Sequence, residues 1–123
     1  MQILAAKRTN SGTLTLTAGT SNAADLDLVT LDTANFAVSA LKFTAPFSGL
    51  YKLDLSTSLS YTGVGTYDID MYSSVRGRLY YDPVQQLVLG EEISVFYVVT
   101  GVLTVTILAG RINLSIYRIG ATS

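Results

Sequence analysis

An all-β fold, an antiparallel sandwich or jelly roll of about ten short strands, is what the sequence predicts, and three observations carry the prediction. The composition is the first. Hydrophobic residues make up 49% of the 123 and charged residues only 14%; the rest is rich in Thr, Ser, Gly and Tyr, not in the helix formers Lys, Glu and Gln. The second is periodicity: no window of about eleven residues holds a 3.6-residue repeat, while apolar and polar residues alternate at period two throughout. The third is punctuation, since turn-forming clusters interrupt the alternation at roughly ten-residue intervals.

In chain order, strands are expected near Ile3 to Lys7, Thr13 to Thr17, Leu26 to Leu31, Leu41 to Thr44, Leu50 to Ser58, Thr66 to Ser73, Gly77 to Tyr81, Ile93 to Thr100, Val102 to Leu108 and Ile112 to Ile119. The breaks fall at Thr9-Asn10-Ser11-Gly12, Gly19-Thr20-Ser21-Asn22, Pro46-Phe47-Ser48-Gly49, Thr62-Gly63-Val64-Gly65, Asp82-Pro83 and Gly90-Glu91, all built from residues that favour turns. Pro46 suits a strand end where no ladder donor is needed, and Gly49 admits the backbone angles that start the next strand. The chain is long enough for one domain, residues 1–123, to bury a core without disulfides or a metal.

Charge and cysteine content narrow the function classes. Eight Lys and Arg face nine Asp and Glu, a net charge of −1, which argues against a counterion-driven nucleic-acid or anionic-membrane binder. There is no Cys, His or Trp. Met1 to Arg8 lacks the basic leader of a signal peptide. The uncharged run from Ile93 to Gly110 approaches a membrane-spanning length. It is rich in β-branched residues, however, and is broken by Gly101 and Gly110, so a buried hairpin turning at Thr100-Gly101 is expected, not membrane insertion.

Face patterning points to a partner. From Leu50 to Ser56, Tyr51, Leu53 and Leu55 share one side and Lys52, Asp54 and Ser56 the other, as in a strand with one wet face. From Ile93 to Thr100 both sides are apolar, one with Ile93, Val95, Tyr97 and Val99 and the other with Phe96 and Val98. The last strand is similar, with Leu114 and Ile116 opposed to Tyr117 and Ile119. In a two-layer sandwich such strands need a second cover, which another subunit would supply.

For catalysis the chain offers little, because the usual general bases, thiol nucleophiles and soft metal ligands are missing. Asp68 and Asp70 alternate on one strand face about 7 Å apart, with Asp54 or Asp82 as possible neighbours. Three readings are open: a solvated face, an oxygen site for calcium, or a carboxylate pair for glycan hydrolysis. Asp25 and Asp27 repeat the pattern. Arg76-Gly77-Arg78 and Lys7-Arg8 are too small for a nucleic-acid site, and Gly63-Val64-Gly65 precedes no helix that could hold phosphate. Tyr61, Tyr67, Tyr72, Tyr80 and Tyr81 gather mid-chain, a residue type favoured in carbohydrate or protein recognition. No cofactor is expected.

The stretch Phe43-Thr44-Ala45-Pro46-Phe47-Ser48-Gly49-Leu50-Tyr51, leading into an alternating strand, resembles the signature of the tumour necrosis factor-like jelly roll, in the form seen in the globular heads of the first complement component. Asp27 to Asp32 is similar to the apolar strand that precedes this signature, Leu89-Gly90-Glu91-Glu92-Ile93 to the family's later glycine turn, and Leu114 to Gly120 to its final strand. Glu91 stands where the family commonly has Asp. The resemblance implies a homotrimer, aromatic-rich along its axis, with Phe96, Tyr97, Tyr117 and Tyr51 as interface candidates. It also implies loops displayed at one end, here Thr62, Gly63, Val64 and Gly65 with Pro83, Val84, Gln85 and Gln86.

Small cysteine-free members of this shape resemble bacteriophage virion proteins. The expectation is therefore a non-enzymatic decoration, spike or fibre head, located on the virion and binding a capsid or other virion subunit and a host-surface receptor. With no collagen-like stalk ahead of it, the head would sit directly on a capsid or another subunit. A secreted or surface-displayed bacterial head that binds carbohydrate or protein and a carboxylate-based glycan-active enzyme are the alternatives.

Overall fold

A computed structural model describes residues 4–19, 23–38 and 41–120. Among them are thirteen strands: β1 (Ala5–Thr9), β2 (Leu14–Thr17), β3 (Ala23–Ala24), β4 (Leu28–Asp32), β5 (Phe43–Thr44), β6 (Gly49–Thr57), β7 (Ser60–Thr62), β8 (Tyr67–Ser73), β9 (Gly77–Arg78), β10 (Val84–Leu87), β11 (Glu92–Val99), β12 (Thr104–Ile107) and β13 (Ile112–Gly120). Five strands form one sheet in the order β10-β6-β13-β1-β4; a second runs β3-β11-β8-β9, with β5 also on β11; a third runs β2-β12-β7. Every ladder is antiparallel. The expected Ile3 start of the first strand and the Thr20 to Asn22 turn lie outside the described residues.

Alternation decides what is buried. Tyr51, Leu53, Leu114, Ile116 and Ala6 point inward from the five-stranded sheet and meet Ile69, Met71, Ile93 and Val95 of the second sheet in one core. Phe36 fills the gap edge-on to Phe43 and Tyr51, with ring centroids 6.4 and 6.0 Å away. The Phe43-to-Tyr51 signature is explained by a corner. The Tyr51 hydroxyl donates to the Phe47 carbonyl at 2.6 Å, and an Arg118 Nη donates to the Ser48 carbonyl at 2.9 Å. A side chain at Gly49 would come within 2.5 Å of Arg118 Nε. Burial raises the Tyr51 hydroxyl pKa above its ordinary value.

Several expectations need correction. Tyr51 and Tyr97, expected at a subunit interface, lie inside the protomer: both point into the core and are almost wholly buried. A charge at position 97 would therefore disturb folding and not merely assembly. Phe96 and Tyr117 are on the opposite faces of their strands and are half-buried. The run from Ile93 to Gly110 is not a hairpin. β11 pairs with β8, β3 and β5, while β12 pairs with β2 and β7, so the chain passes from one sheet to another at Gly101. Among the described residues no helix is long and apolar enough to cross a membrane.

Val84, Gln85 and Gln86 are not a loop. They form β10, an edge strand on β6, and the Leu53 amide donates to the Pro83 carbonyl at 2.7 Å. Gln85 faces inward, buried, and accepts from Arg76 at 2.9 Å. Conversely, the expected strand from Gly77 to Tyr81 stops at Arg78, because Tyr80 and Tyr81 adopt left-handed φ values of 52° and 62°. Two consecutive bulky residues in that region are costly, at about 1–2 kcal/mol each. Surrounding contacts must hold them.

Candidate functional site

Those contacts begin on the outer face of β8. Asp68, Asp70 and Tyr72 project together there, as period two requires. Opposite them, on β9, Arg78 places its guanidinium between the two carboxylates. Its Nε donates to Asp70 at 2.8 Å and an Nη donates to Asp68. The Asp70 side chain is only 1% exposed, whereas that of Asp68 is 39% exposed. Asp70 also accepts from the backbone amides of Met71 at 2.7 Å and Tyr81 at 3.0 Å, and the second of these bonds ties down the left-handed turn. The guanidinium lies 4.9 Å from the Tyr80 ring centroid and 5.5 Å from that of Phe96, which is itself edge-on to Tyr72.

Electrostatics follow from this arrangement. Hydrogen bonding to Asp70 and then to Asp68 raises the Arg78 pKa, so its charge is fixed. The Tyr81 hydroxyl donates to Asp68. That bond is the main cause holding the Asp68 carboxyl below its ordinary 3.8, with Arg78 adding to it. Burial, followed by the same bond, pushes the Tyr81 hydroxyl up to about 12. A carboxyl depressed in the folded state stabilises above its unfolded pKa and loses that contribution as pH falls through the folded value. Thermal unfolding temperature should accordingly decline as pH drops below 3.8, and Asp68→Asn should remove part of that decline; an unchanged slope would contradict the assignment.

The two aspartates expected to pair do share a face. Arg78 nevertheless bridges both carboxylates within the chain, and no group of three His, Cys, Asp or Glu able to hold a metal occurs among the described residues. As a hydrolytic pair they are poorly placed, since Asp68 lines a cleft but Asp70 is buried behind it. Asp27 has a separate task. Its carboxylate accepts from the Ser11 hydroxyl and from the Ser11 amide at 2.9 Å, closing the turn after β1.

Beside this network is the second feature, two loops fused backbone to backbone. The loop between β7 and β8 meets the turn between β11 and β12. Val102 N donates to Val64 O and Thr100 N to Thr66 O, both at 2.9 Å. Thr66 N donates to the Thr100 hydroxyl at 3.1 Å, and the two threonine hydroxyls are 2.5 Å apart. Glycines make this approach possible. A Cβ at Gly63 or Gly65 would overlap the carbonyl oxygen of Val102 or Thr100, and one at Gly101 would lie 2.7 Å from Val64 O. Val64 and Val102 form the tip, 79% and 78% exposed.

Tyr67 joins the two features. It lines a cleft of about 440 Å³ together with Tyr61 and the Gly63–Gly65 loop, and a second cleft of about 290 Å³ together with Tyr81, Asp68 and Thr57. Of the expected contact residues, Thr62, Gly63, Val64 and Gly65 are thus at this end, Thr62 as the last residue of β7. Sequence reading misses Arg78 as the organising residue; its only signal is a cation two residues from another on a short strand facing alternating aspartates.

Antiparallel sheets in this order, packed on one core, define the class by fold: a jelly roll of the tumour necrosis factor-like kind. The chain is similar to the structure of Eiger TNF from S. frugiperda, with a TM-score of 0.63 and 11% identity over 100% of this chain and 96% of that one. At that identity the likeness shows the fold. No family model matches the sequence, and no curated protein matches it.

Proposed function

We propose that the chain is a non-enzymatic head domain that assembles as a homotrimer, presents its fused-loop end to a partner, and is carried on the capsid surface or an appendage of a bacteriophage particle. The observation that carries the assembly is the five-stranded sheet, whose two outermost strands both expose apolar side chains. Leu28, Val29 and Leu31 of β4 stand at one edge and Val84 of β10 at the other. Exposed apolar edges invite pairing with another chain, and contact between unlike edges closes into a ring when the rotation permits. Tyr117, with Lys52 Nζ 6.0 Å from its ring centroid, lies on the outer face of the same sheet. Phe96 remains a second candidate contact on the other sheet.

The recognition role rests on a different part of the surface. The fused loops are tied together by backbone hydrogen bonds, their tips are apolar, and tyrosines flank them. Pre-ordered aromatic and apolar contacts bind with a small entropy cost. The virion assignment is supported by the small size, the lack of cysteine and the closing Leu114-to-Gly120 strand, which together resemble phage virion proteins of this shape. Immunogold electron microscopy of particles made with and without the gene tests it. Label on capsid or appendage is expected; unlabelled particles with label confined to the cell envelope would favour a bacterial surface head instead.

A further inference from the structure

We propose that the two clefts flanking Tyr67 are adjacent subsites for a neutral glycan chain. This rests on the recognition role assigned above to the same end of the molecule and adds the ligand class. Three tyrosines, Tyr61, Tyr67 and Tyr81, follow one another there, between 42% and 60% exposed. Tyr61 and Tyr67 have centroids 6.0 Å apart and are tilted by 43°, so the rings are not stacked on each other. A pyranose presents apolar C–H faces and a periphery of hydroxyls. Aromatic faces suit the first, and hydroxyl and carboxylate groups suit the second.

The smaller cleft offers both. Tyr67, Tyr81, Leu55 and Leu59 supply apolar wall, while Thr57 and the partly exposed Asp68 carboxylate supply hydrogen-bonding edge. The larger cleft offers ring and backbone from the glycine loop. Their volumes, about 290 and 440 Å³, are near the lower end of ordinary small-molecule sites, roughly 300–1,000 Å³. Two small clefts that share Tyr67 match a chain of repeated ring-shaped units better than one continuous segment.

Charge selects among such chains. Two carboxylates, Asp68 and Asp70, are bridged by one guanidinium, that of Arg78, which leaves these three side chains with an excess of negative charge. Uronic acids, sialic acids and phosphates are disfavoured by that excess. The walls are also fixed in advance. The glycine contacts lock one loop, the Asp70 bond to Tyr81 N locks the other, and the Asp68 bond sets the Tyr81 ring. Preorganisation of this kind is what a weakly held, hydroxyl-rich ligand requires.

The test is an NMR titration of the full chain with maltotetraose, cellotetraose, mannotetraose and chitotetraose, alongside tetragalacturonate and tetralysine. At least one neutral tetrasaccharide should give saturable shifts centred on Tyr61, Tyr67 and Tyr81, and tetragalacturonate should bind more weakly. Tyr67→Ala should weaken the response about tenfold, and Tyr72→Ala, outside both clefts, should not. If Tyr67→Ala does not fold, Tyr61→Ala should reproduce the loss. Silence from all four neutral glycans, shifts elsewhere, a preference for tetralysine, or full binding by both tyrosine variants would overturn the proposal. A labelled trimer on the particle that ignores every glycan would sink the ligand class alone, whereas a glycan-binding monomer would sink the head assignment alone.

Discussion

Arg78→Met should destabilise the protein by about 3 kcal/mol, lowering the thermal midpoint by roughly 10 °C, although it removes a side chain near the surface. The reason is what remains behind. Asp70 would keep its hydrogen bonds from Met71 N and Tyr81 N but lose the guanidinium paired with a carboxylate that is 1% exposed. Removing one partner of a buried pair commonly costs about 3–5 kcal/mol, and the lower end applies because the Arg78 side chain is 25% exposed. Asp68→Asn should cost far less, about 1 kcal/mol or under, because that carboxylate is well exposed to water. Arg78→Lys should rescue only part, since one ammonium cannot span two carboxylates as a planar guanidinium does. Differential scanning calorimetry of the three variants checks the ranking; an Arg78→Met midpoint within 2 °C of the unaltered protein, roughly half a kcal/mol, would contradict it.

Gly65→Ala is the second large effect, at about 2–4 kcal/mol. Gly65 has φ 153°, and a Cβ there would overlap the Thr100 carbonyl oxygen, so the two loops must separate. Parting them exposes the bonds from Val102 N to Val64 O and from Thr100 N to Thr66 O. Gly90→Ala is the comparison. That residue also has a left-handed φ, 86°, but nothing lies within 4 Å of the added carbon, so only the backbone preference of about 1 kcal/mol is lost. Amide hydrogen exchange should speed at Thr100 and Val102 in Gly65→Ala and stay unchanged there in Gly90→Ala. Equal effects of the two substitutions would mean that loop fusion adds nothing beyond φ.

The sequence carries the fold class because alternation is a local signal. Leu50 to Ser56 declares its wet and dry faces, and β6 follows that pattern. Where both faces are apolar, alternation cannot say which is inside. Ile93 to Val99 turns Tyr97 inward because Phe96 stands opposite Asp70 in the ladder, and pairing across strands is invisible from one strand. Val84 to Leu87 escapes notice because Pro83 and two glutamines resemble a turn, although an edge strand tolerates both. At the site, the glycines of Thr62 to Gly65 mark the loop correctly, but their partner Thr100-Gly101 is 35 residues on and reads as a hairpin. Tyr80 and Tyr81 give no hint of their left-handed backbone, since neither is a residue that favours it; the Asp70 carboxylate imposes it from another strand.

The head assignment depends most on assembly, and the solution mass tests it most directly. Light scattering at neutral pH should give three times the 13.2 kDa of one chain. Leu31→Asp, at the exposed β4 edge, should lower that mass while leaving the unfolding transition cooperative. A mass of one chain for the unaltered protein across micromolar concentrations would contradict the account.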